Sequence, residues 1–259
     1  MASNVQVTIG SSACTVITTS PGQIQCRVPA QGSNTSPATV RVTSNGVTVT
    51  SPVSFTYDAS STPVVSSISP TSGFAGQTLT ISGSNFVVGQ SSVTVGGSTC
   101  VIATVSSSTA TCTLGSNTAG SQPVVVMINS VGLSNSNIQF SYSLQVTSAS
   151  PSVGSYGGGQ TVTITGNGFN ATGISVTVCN QACQSVSVIS TTQLACVTPA
   201  ATASSSDQVC SLTVSMGGTS QSITYTYRAS LTASVASISP TRGGTGGGTT
   251  LTITGTNFP

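Results

Sequence analysis

The ionisable side chains of this sequence are too few and too scattered to build a catalytic centre. Its 259 residues include four arginines, two acidic residues and no histidine. The two carboxylates, Asp58 and Asp207, lie far apart in the sequence and form no acid–base pair. Without His or Lys, no side chain can act as the usual general base for a serine nucleophile. The sequence therefore predicts a protein that is not an enzyme and that uses no cofactor.

The charge pattern also excludes several kinds of partner. Charged residues make up 2% of the chain, and the net charge of +2 comes from isolated arginines. No basic patch is available to neutralise a run of phosphates, so a nucleic acid is not expected as a partner. No stretch reaches the roughly 18 apolar residues that a membrane-spanning helix needs.

Eight cysteines are the most informative polar residues. They are Cys14, Cys26, Cys100, Cys112, Cys179, Cys183, Cys196 and Cys210. Six of them recur as pairs at equivalent places in a repeated pattern, and the remaining two, Cys179 and Cys210, lie in one copy of it. The CxxxC spacing of Cys179 and Cys183 is an alternative zinc-binding pattern. With no His in the chain and only two Cys in each other copy, disulfide bonds are favoured over a metal site.

A repeat of about 85 residues organises the chain. The stretch ISPTSGFAGQTLTISGSNF, which ends at Phe86, returns in related form before Phe169 and Phe258. Strictly alternating apolar residues separated by Thr and Ser predict short antiparallel strands, and the fold class is all-β with tandem sandwiches. The predicted divisions are an incomplete domain, two complete domains and the first strands of another, at residues 1–58, 59–143, 144–228 and 229–259.

Aromatic residues close each repeat. They stand at Phe55 and Tyr57, at Phe140 and Tyr142, and at Tyr225 and Tyr227. We expect each pair to end the last strand of its sandwich, with one ring in the core. The segments that join the domains are brief, which predicts a semi-rigid, rod-like arrangement.

The order ISPTSG, TLTISGSNF, VTVGGSTC, a second Cys and a closing FSY resembles the IPT/TIG family of immunoglobulin-like domains. The resemblance covers nearly the whole chain, because three copies stand in the same register. It implies early-set immunoglobulin-like sandwiches of about 85 residues. It does not by itself assign a function, because one fold serves many functions.

The resemblance also implies a disulfide pairing. In the family, cysteines placed like Cys14 and Cys26, Cys100 and Cys112, and Cys183 and Cys196 commonly form a bond. The repeat alignment puts Cys179 in place of Gly96 and Cys210 near Val124, so we pair these two as well. Each bond across the short loop is expected to contribute about 3 kcal/mol of stability. Paired structural cysteines indicate a secreted, extracellular or cell-surface protein.

Covalent glycans are expected on this nearly uncharged surface. Two sequons are present, at Asn34 and Asn170, and several Ser/Thr runs offer hydroxyl acceptors. A sequence this rich in Ser and Thr also produces such triplets by chance.

These features predict a structural component of an extracellular fibre, appendage or surface coat, built head to tail from glycosylated domains. The alternative is the ectodomain of a receptor or adhesin that binds a carbohydrate or a protein. The expected partners are adjacent repeats or copies of the chain itself.

The C-terminal segment placed ahead of the N-terminal one makes one complete domain in register, and this has two interpretations. The chain is part of a longer array, which the missing signal peptide favours, or the tail of one copy completes the head of the next.

Overall fold

The computed structural model describes residues 5–31, 36–134 and 137–258, nearly all of them in strands or the turns between strands. The chain forms two compact units, residues 1–62 and residues 63–259. The described part contains one short 3-10 turn, Ala229–Leu231, and no α-helix. The strands are β1 (Val5–Ile9), β2 (Ser12–Ser20), β3 (Gln23–Arg27), β4 (Ala38–Ser44), β5 (Val47–Phe55), β6 (Val64–Ser69), β7 (Ser72–Gly73), β8 (Thr78–Ser84), β9 (Ser91–Val95), β10 (Ser98–Val105), β11 (Thr109–Thr113), β12 (Gly120–Ile128), β13 (Gly132–Leu133), β14 (Gln139–Tyr142), β15 (Gln145–Ser150), β16 (Val153–Gly154), β17 (Thr161–Asn167), β18 (Ser175–Val178), β19 (Gln181–Ala182), β20 (Gln184–Ser190), β21 (Gln193–Val197), β22 (Gln208–Met216), β23 (Thr219–Tyr227), β24 (Ser234–Ser239) and β25 (Thr252–Thr256).

The described residues of the first unit form a single sheet with the strand order β3-β2-β1-β4-β5. Its small core is centred on Val7, Ile9 and Cys14, which are buried. β3 and β5 are the edge strands of this sheet, and each pairs on one side only.

The described residues of the second unit form two sandwiches and a hairpin. In the first sandwich the strands follow the path β6-β8-β11-β10-β9-β12-β14-β7, and β10 passes from one layer to the other. The second sandwich has a sheet β15-β17-β21-β20 and a sheet β16-β23-β22-β18-β19. The hairpin β24-β25 forms a sheet of its own. The all-β sandwich architecture is as the sequence predicts.

The alternation of apolar and hydroxyl side chains decides which face of each strand is buried. Leu79 and Ile81 on β8, and Val162 and Ile164 on β17, are fully buried, whereas the Thr residues beside them are not. A period of two puts one set of side chains on each face of a sheet. Burial of two such side chains contributes several kcal/mol to each sandwich.

In the second and third domains the closing aromatics differ from the prediction of one core ring in each pair. Phe140 and Tyr142 are both buried, and their rings meet edge to face with centroids 5.0 Å apart. Tyr225 and Tyr227 do the same at 5.3 Å. Residues two apart in a strand share a face, so both rings of a pair must enter the same core.

The second tyrosine of each pair also ties the last strand to a loop. The Tyr142 hydroxyl donates a hydrogen bond to the Gly115 carbonyl at 3.0 Å, and that of Tyr227 donates to the Pro199 carbonyl at 2.6 Å. In the first unit, Tyr57 donates to Pro29 at 2.9 Å. A buried hydroxyl needs such a partner, and each of the three tyrosines at this place has one.

A glycine in each repeated TLTISGSNF-like stretch is required by close packing. A Cβ atom on Gly83 would overlap the carbonyl oxygen of Val64 and stand 2.6 Å from the ring of Phe86. A Cβ on Gly166 would overlap the Gln145 carbonyl oxygen and stand 2.7 Å from the ring of Phe169. The aromatic three residues later therefore packs directly on the glycine and leaves no room for a side chain.

Candidate functional sites at the cysteines and the domain joint

Six of the cysteines are bonded in the structure. The disulfides are Cys14–Cys26, Cys100–Cys112 and Cys179–Cys210. Cys100 on β10 and Cys112 on β11 are buried, and both belong to the core of the second domain. Because Cys179 is bonded to Cys210, it cannot join Cys183 as a thiolate pair for zinc. Among the described residues no group of three or more His, Cys, Asp or Glu could hold a metal ion.

The predicted bond between Cys183 and Cys196 is absent from the structure. Both residues are thiols, Cys196 buried and Cys183 half-buried, and their sulfur atoms share a hydrogen bond. That bond lowers the pKa of Cys183, while the same contact and burial raise the pKa of Cys196. The difference from Cys100 and Cys112 is local. Cys100 lies inside β10, whereas Cys183 lies between β19 and β20, beside a register shift.

We expect these two thiols to form a disulfide when the chain is incubated with oxidised glutathione. Glutathione would take up both electrons as it is reduced, and the protein would lose two hydrogen atoms. Intact-mass measurement after alkylation of the unfolded chain would count two alkylated cysteines before the treatment and none after it. A Cys183→Ser variant should retain one alkylated thiol throughout.

The second and third domains meet through a direct joint. Tyr142 lies in the core of one sandwich, Leu144 lies in the core of the next, and only Ser143 separates them. The Ser143 amide donates a hydrogen bond to the Gly73 carbonyl at 2.7 Å, which ties this residue to the second domain. Because Tyr142 and Leu144 on either side of Ser143 are both buried, the connection between the domains has almost no freedom to extend.

A hydrogen bond crosses the joint beside this connection. The amide of Ala119, in the loop before β12, donates to the Gly168 carbonyl of the third domain at 2.9 Å. Thr118 and Gly168 pair as an isolated parallel β-bridge, and Ala119 packs against the third-domain core. The two sandwiches are therefore held at two places, by the chain and by this bridge.

Gly168 is the residue that allows this close approach. Its φ is +85°, and a Cβ atom there would stand 2.9 Å from the Ser143 oxygen and 3.0 Å from the Ala119 Cβ. The equivalent residues Asn85 and Asn257 also have positive φ, at 61° and 58°. The second and fourth copies thus keep the backbone conformation but carry a side chain where the third has none.

The segment after the third domain is longer and is held differently. Thr232 accepts a hydrogen bond from the Tyr156 amide at 2.9 Å and donates one to the Arg228 carbonyl at 3.0 Å. The Asn257 side chain donates to the Thr232 carbonyl at 2.9 Å, and Asp207 accepts from the Ala229 amide at 3.1 Å. Side-chain hydrogen bonds replace the direct domain contact here.

The contact between Ala119 and Gly168 across the joint is the part of this region that the sequence analysis does not predict. The signal was present, because one residue separates Tyr142 from the apolar Leu144, whereas longer segments lead from Tyr57 and Tyr227 to the next strand. The change from Asn to Gly at residue 168 was a second signal.

A shallow groove of about 440 Å³ lies beside the same joint. It is lined by small or uncharged residues of both domains, among them Gly120, Ser141, Gly217 and Thr219. No charged side chain lines it, and its one aromatic residue, Tyr142, is buried. The groove therefore lacks both an exposed aromatic platform and a charged group, two features with which ligand sites fix their ligands.

Of the two sequons, only the one at Asn170 lies within the described residues. Asn34 lies outside them. Asn170 is half-buried, and its side-chain oxygen accepts a hydrogen bond from the Thr172 amide at 3.2 Å, which forms an Asx turn. Ala171 and Thr172 are exposed, so the acceptor triplet lies on an accessible loop.

The comparison with known families agrees with this architecture. The model of the IPT/TIG domain matches residues 1–57, 63–142, 144–227 and 233–259. The chain belongs to the IPT/TIG family. IPT/TIG domains are non-enzymatic modules for binding and structure, and the four matches tile this chain nearly from end to end.

Two curated relatives cover almost the whole chain. Fibrocystin-L from Mus musculus is 36% identical over 98% of this chain, and Fibrocystin-L from Homo sapiens is 35% identical over the same share. The chain spans 6% of the length of either relative.

Solved structures also align with the chain. The extracellular region of plexin A4 covers 92% of it, at 16% identity and a TM-score of 0.31, over 27% of that structure. SGBP-B from a xyloglucan utilization locus in Bacteroides uniformis covers 65% of it, at 20% identity and a TM-score of 0.31, over 50% of that structure. Alignments with these scores carry no information about function.

No helix in the described part of the IPT/TIG chain has the length and apolar character needed to cross a membrane.

Proposed function

We propose that this chain is an extracellular spacer, a run of IPT/TIG domains that sets a distance in a surface protein or fibre. The observation that carries the proposal is the direct joint between the second and third domains. Its single linking residue and the bond from Ala119 to Gly168 favour a fixed orientation of two sandwiches. A spacer needs this property, whereas a binding module needs a ligand site.

The surface chemistry favours a spacer over the alternative of a receptor or adhesin. All seven aromatic residues from Phe86 to Tyr227 are buried, and Phe74 is half-buried. Rings that stack on sugars must be exposed, so no such platform exists in the described parts of the second and third domains. The single ion pair found there, Arg228 with Asp207 at 4.0 Å, is half exposed and offers little for a charged ligand.

The disulfides support an extracellular location. Three bonds are present in 259 residues, and such bonds persist in oxidising compartments. The Fibrocystin-L relatives are compatible with an extracellular location. The role of the full-length protein to which this chain belongs is also part of this proposal.

The experiment that tests the spacer role is a distance measurement across the joint in the full chain. Bio-orthogonal spin labels at Val101 and Val209, which are 64% and 69% exposed, would report on the second and third domains. We expect one narrow distribution of distances that is the same at low and high salt. A broad distribution, or one that changes with salt, would contradict a spacer with a fixed joint.

We also propose that Asn170 carries an N-linked glycan when the chain is secreted from eukaryotic cells. Its Asx turn and the exposed Thr172 present the acceptor amide on the loop between β17 and β18. We expect Asn170→Gln to remove one glycan mass from the secreted chain without changing its melting temperature. Thr172→Val should have the same effect on mass, and an unchanged mass in both variants would refute the assignment.

A further inference from the structure

The second and third domains differ in the loop that follows the strand carrying Cys112 or Cys196. Residues 114–119 separate β11 from β12, whereas the longer run of residues 198–207 separates β21 from β22. In this longer loop Thr198 and Pro199 are buried, and every residue from 202 to 207 is exposed. The third domain therefore presents a span of exposed chain that the second domain does not have.

One buried residue of the third domain holds both ends of this span. The Tyr156 carbonyl accepts a hydrogen bond from the Ala201 amide at 2.8 Å, and the Tyr156 hydroxyl donates one to the Ser206 carbonyl at 2.7 Å. Within the described part of the chain, no hydrogen bond between backbone groups holds residues 202–205. Exposed loops of small and polar residues are preferred sites of proteolytic cleavage in folded proteins.

A disulfide spans this loop. Cys179 precedes the loop in the sequence and Cys210 follows it, and the two are bonded. In the second domain, by contrast, both Cys100 and Cys112 precede the equivalent loop. The bond between Cys179 and Cys210 would therefore hold the two parts of the chain together after a cut in the loop.

The side chains of the span determine which class of protease would cut it. From residue 200 to residue 205 none is charged and none is larger than threonine: Ala200, Ala201, Thr202, Ala203, Ser204 and Ser205. The third domain has no Lys and a single Arg, Arg228, which follows the last strand, so a protease selective for basic residues has no site in the loop. A serine protease with a small specificity pocket fits this sequence, as elastase does.

We propose that residues 202–205 are a cleavage site for an elastase-like protease, and that the Cys179–Cys210 disulfide keeps the cut chain joined. Water adds across the amide bond between Ala203 and Ser204, so Ala203 gains a carboxylate and Ser204 an ammonium group. The disulfide is unchanged in this step. Separation of the two parts then requires a reductant, which reduces the disulfide to two thiols, as well as the loss of the pairing of β22 with β18. A spacer with this loop is severed only where a protease and a reductant act together.

Digestion of the full chain with pancreatic elastase tests the site. Peptide mapping would locate the cuts, and an alkylating agent present during denaturation would block exchange with the Cys183 and Cys196 thiols. Within the second and third domains, we expect the first cut to follow Ala203. The fragments that end at Ala203 and begin at Ser204 should run as one species without reductant and as two with it. A first cut elsewhere in these domains, or fragments that separate without reductant, would overturn the proposal.

Ala203→Asp tests whether the small side chain selects the site. We expect cleavage of the loop to slow about tenfold or more, because a carboxylate would have to enter a small apolar pocket. Ala59→Asp is the control, since Ala59 is also exposed, but hydrogen bonds from the Ser60 amide and the Ser61 hydroxyl to Asp58 hold its segment. It should leave the cleavage of the loop unchanged. An Ala203→Asp chain that is cut in the loop at the parent's rate would contradict the assignment. The distance measurement between Val101 and Val209 on uncut chain tests the spacer role independently of these results.

Discussion

Replacing Gly166 by alanine is expected to lower the free energy of unfolding of the third domain by about 3 kcal/mol. The added Cβ would overlap the Gln145 carbonyl oxygen on β15 and press against the ring of Phe169, which is 1% exposed. Neither group can yield freely, because β15 is paired with β17 and Phe169 lies in the core. The gain from a less flexible unfolded chain is at most about 1 kcal/mol and does not offset this cost.

Gly157→Ala is the matched control in the same domain. A Cβ at Gly157 would meet only the Ser155 hydroxyl, at 3.5 Å, which is an ordinary contact. We expect its stability to stay within about 0.5 kcal/mol of the parent. Amide hydrogen exchange of β17, together with calorimetry of the full chain, would measure the stability of the third domain separately from that of the other domains. Equal protection in the two variants would contradict the packing argument.

The repeated stretch around Gly166 illustrates what could be predicted from the sequence. Alternation of apolar and hydroxyl residues gave the strands and their buried face, because a sheet has a period of two. The TISG and TITG motifs were recognisable as a repeat. The reason for the glycine was not, because it depends on a carbonyl of the preceding strand and on an aromatic ring three residues later.

The cysteines show where reasoning from a repeat reaches its limit. Equivalence between domains placed Cys179 opposite Cys210, and these two are bonded in the structure. The same equivalence paired Cys183 with Cys196, which are neighbouring thiols in the structure. Cys183 follows the two-residue strand β19 and precedes a register shift in β20, so its position depends on a local irregularity. Sequence spacing does not encode such irregularities.

The joint was harder to predict because it depends on contacts between domains. The short connection was visible in the sequence, and it indicated limited freedom. The bridge from Thr118 to Gly168 joins residues from two sandwiches, and no pattern within one repeat predicts it. The substitution of Gly for the Asn found at residues 85 and 257 became interpretable only when Ala119 was seen beside it.

Gly168→Asn is therefore expected to loosen the joint between the second and third domains while leaving both sandwiches folded. Asn tolerates the positive φ of this position, as Asn85 and Asn257 do at 61° and 58°. Its side chain would nevertheless enter the space between the Ser143 oxygen and the Ala119 Cβ, 2.9 and 3.0 Å from the new Cβ. The bond from the Ala119 amide would lengthen or break, and the single residue Ser143 would then be the main connection.

The distance between spin labels at Val101 and Val209 measures this loosening. We expect the distribution to become several times broader in Gly168→Asn, with a change of less than about 1 kcal/mol in the stability of either domain. Gly173→Asn is the control, because Gly173 also has a positive φ, at 70°, but a Cβ there meets nothing within 4 Å. A narrow distribution in both variants would show that the chain connection alone fixes the joint. A broad one in Gly168→Asn alone would assign the fixed orientation to the close approach that glycine permits, and would explain why the third copy departs from Asn at this position.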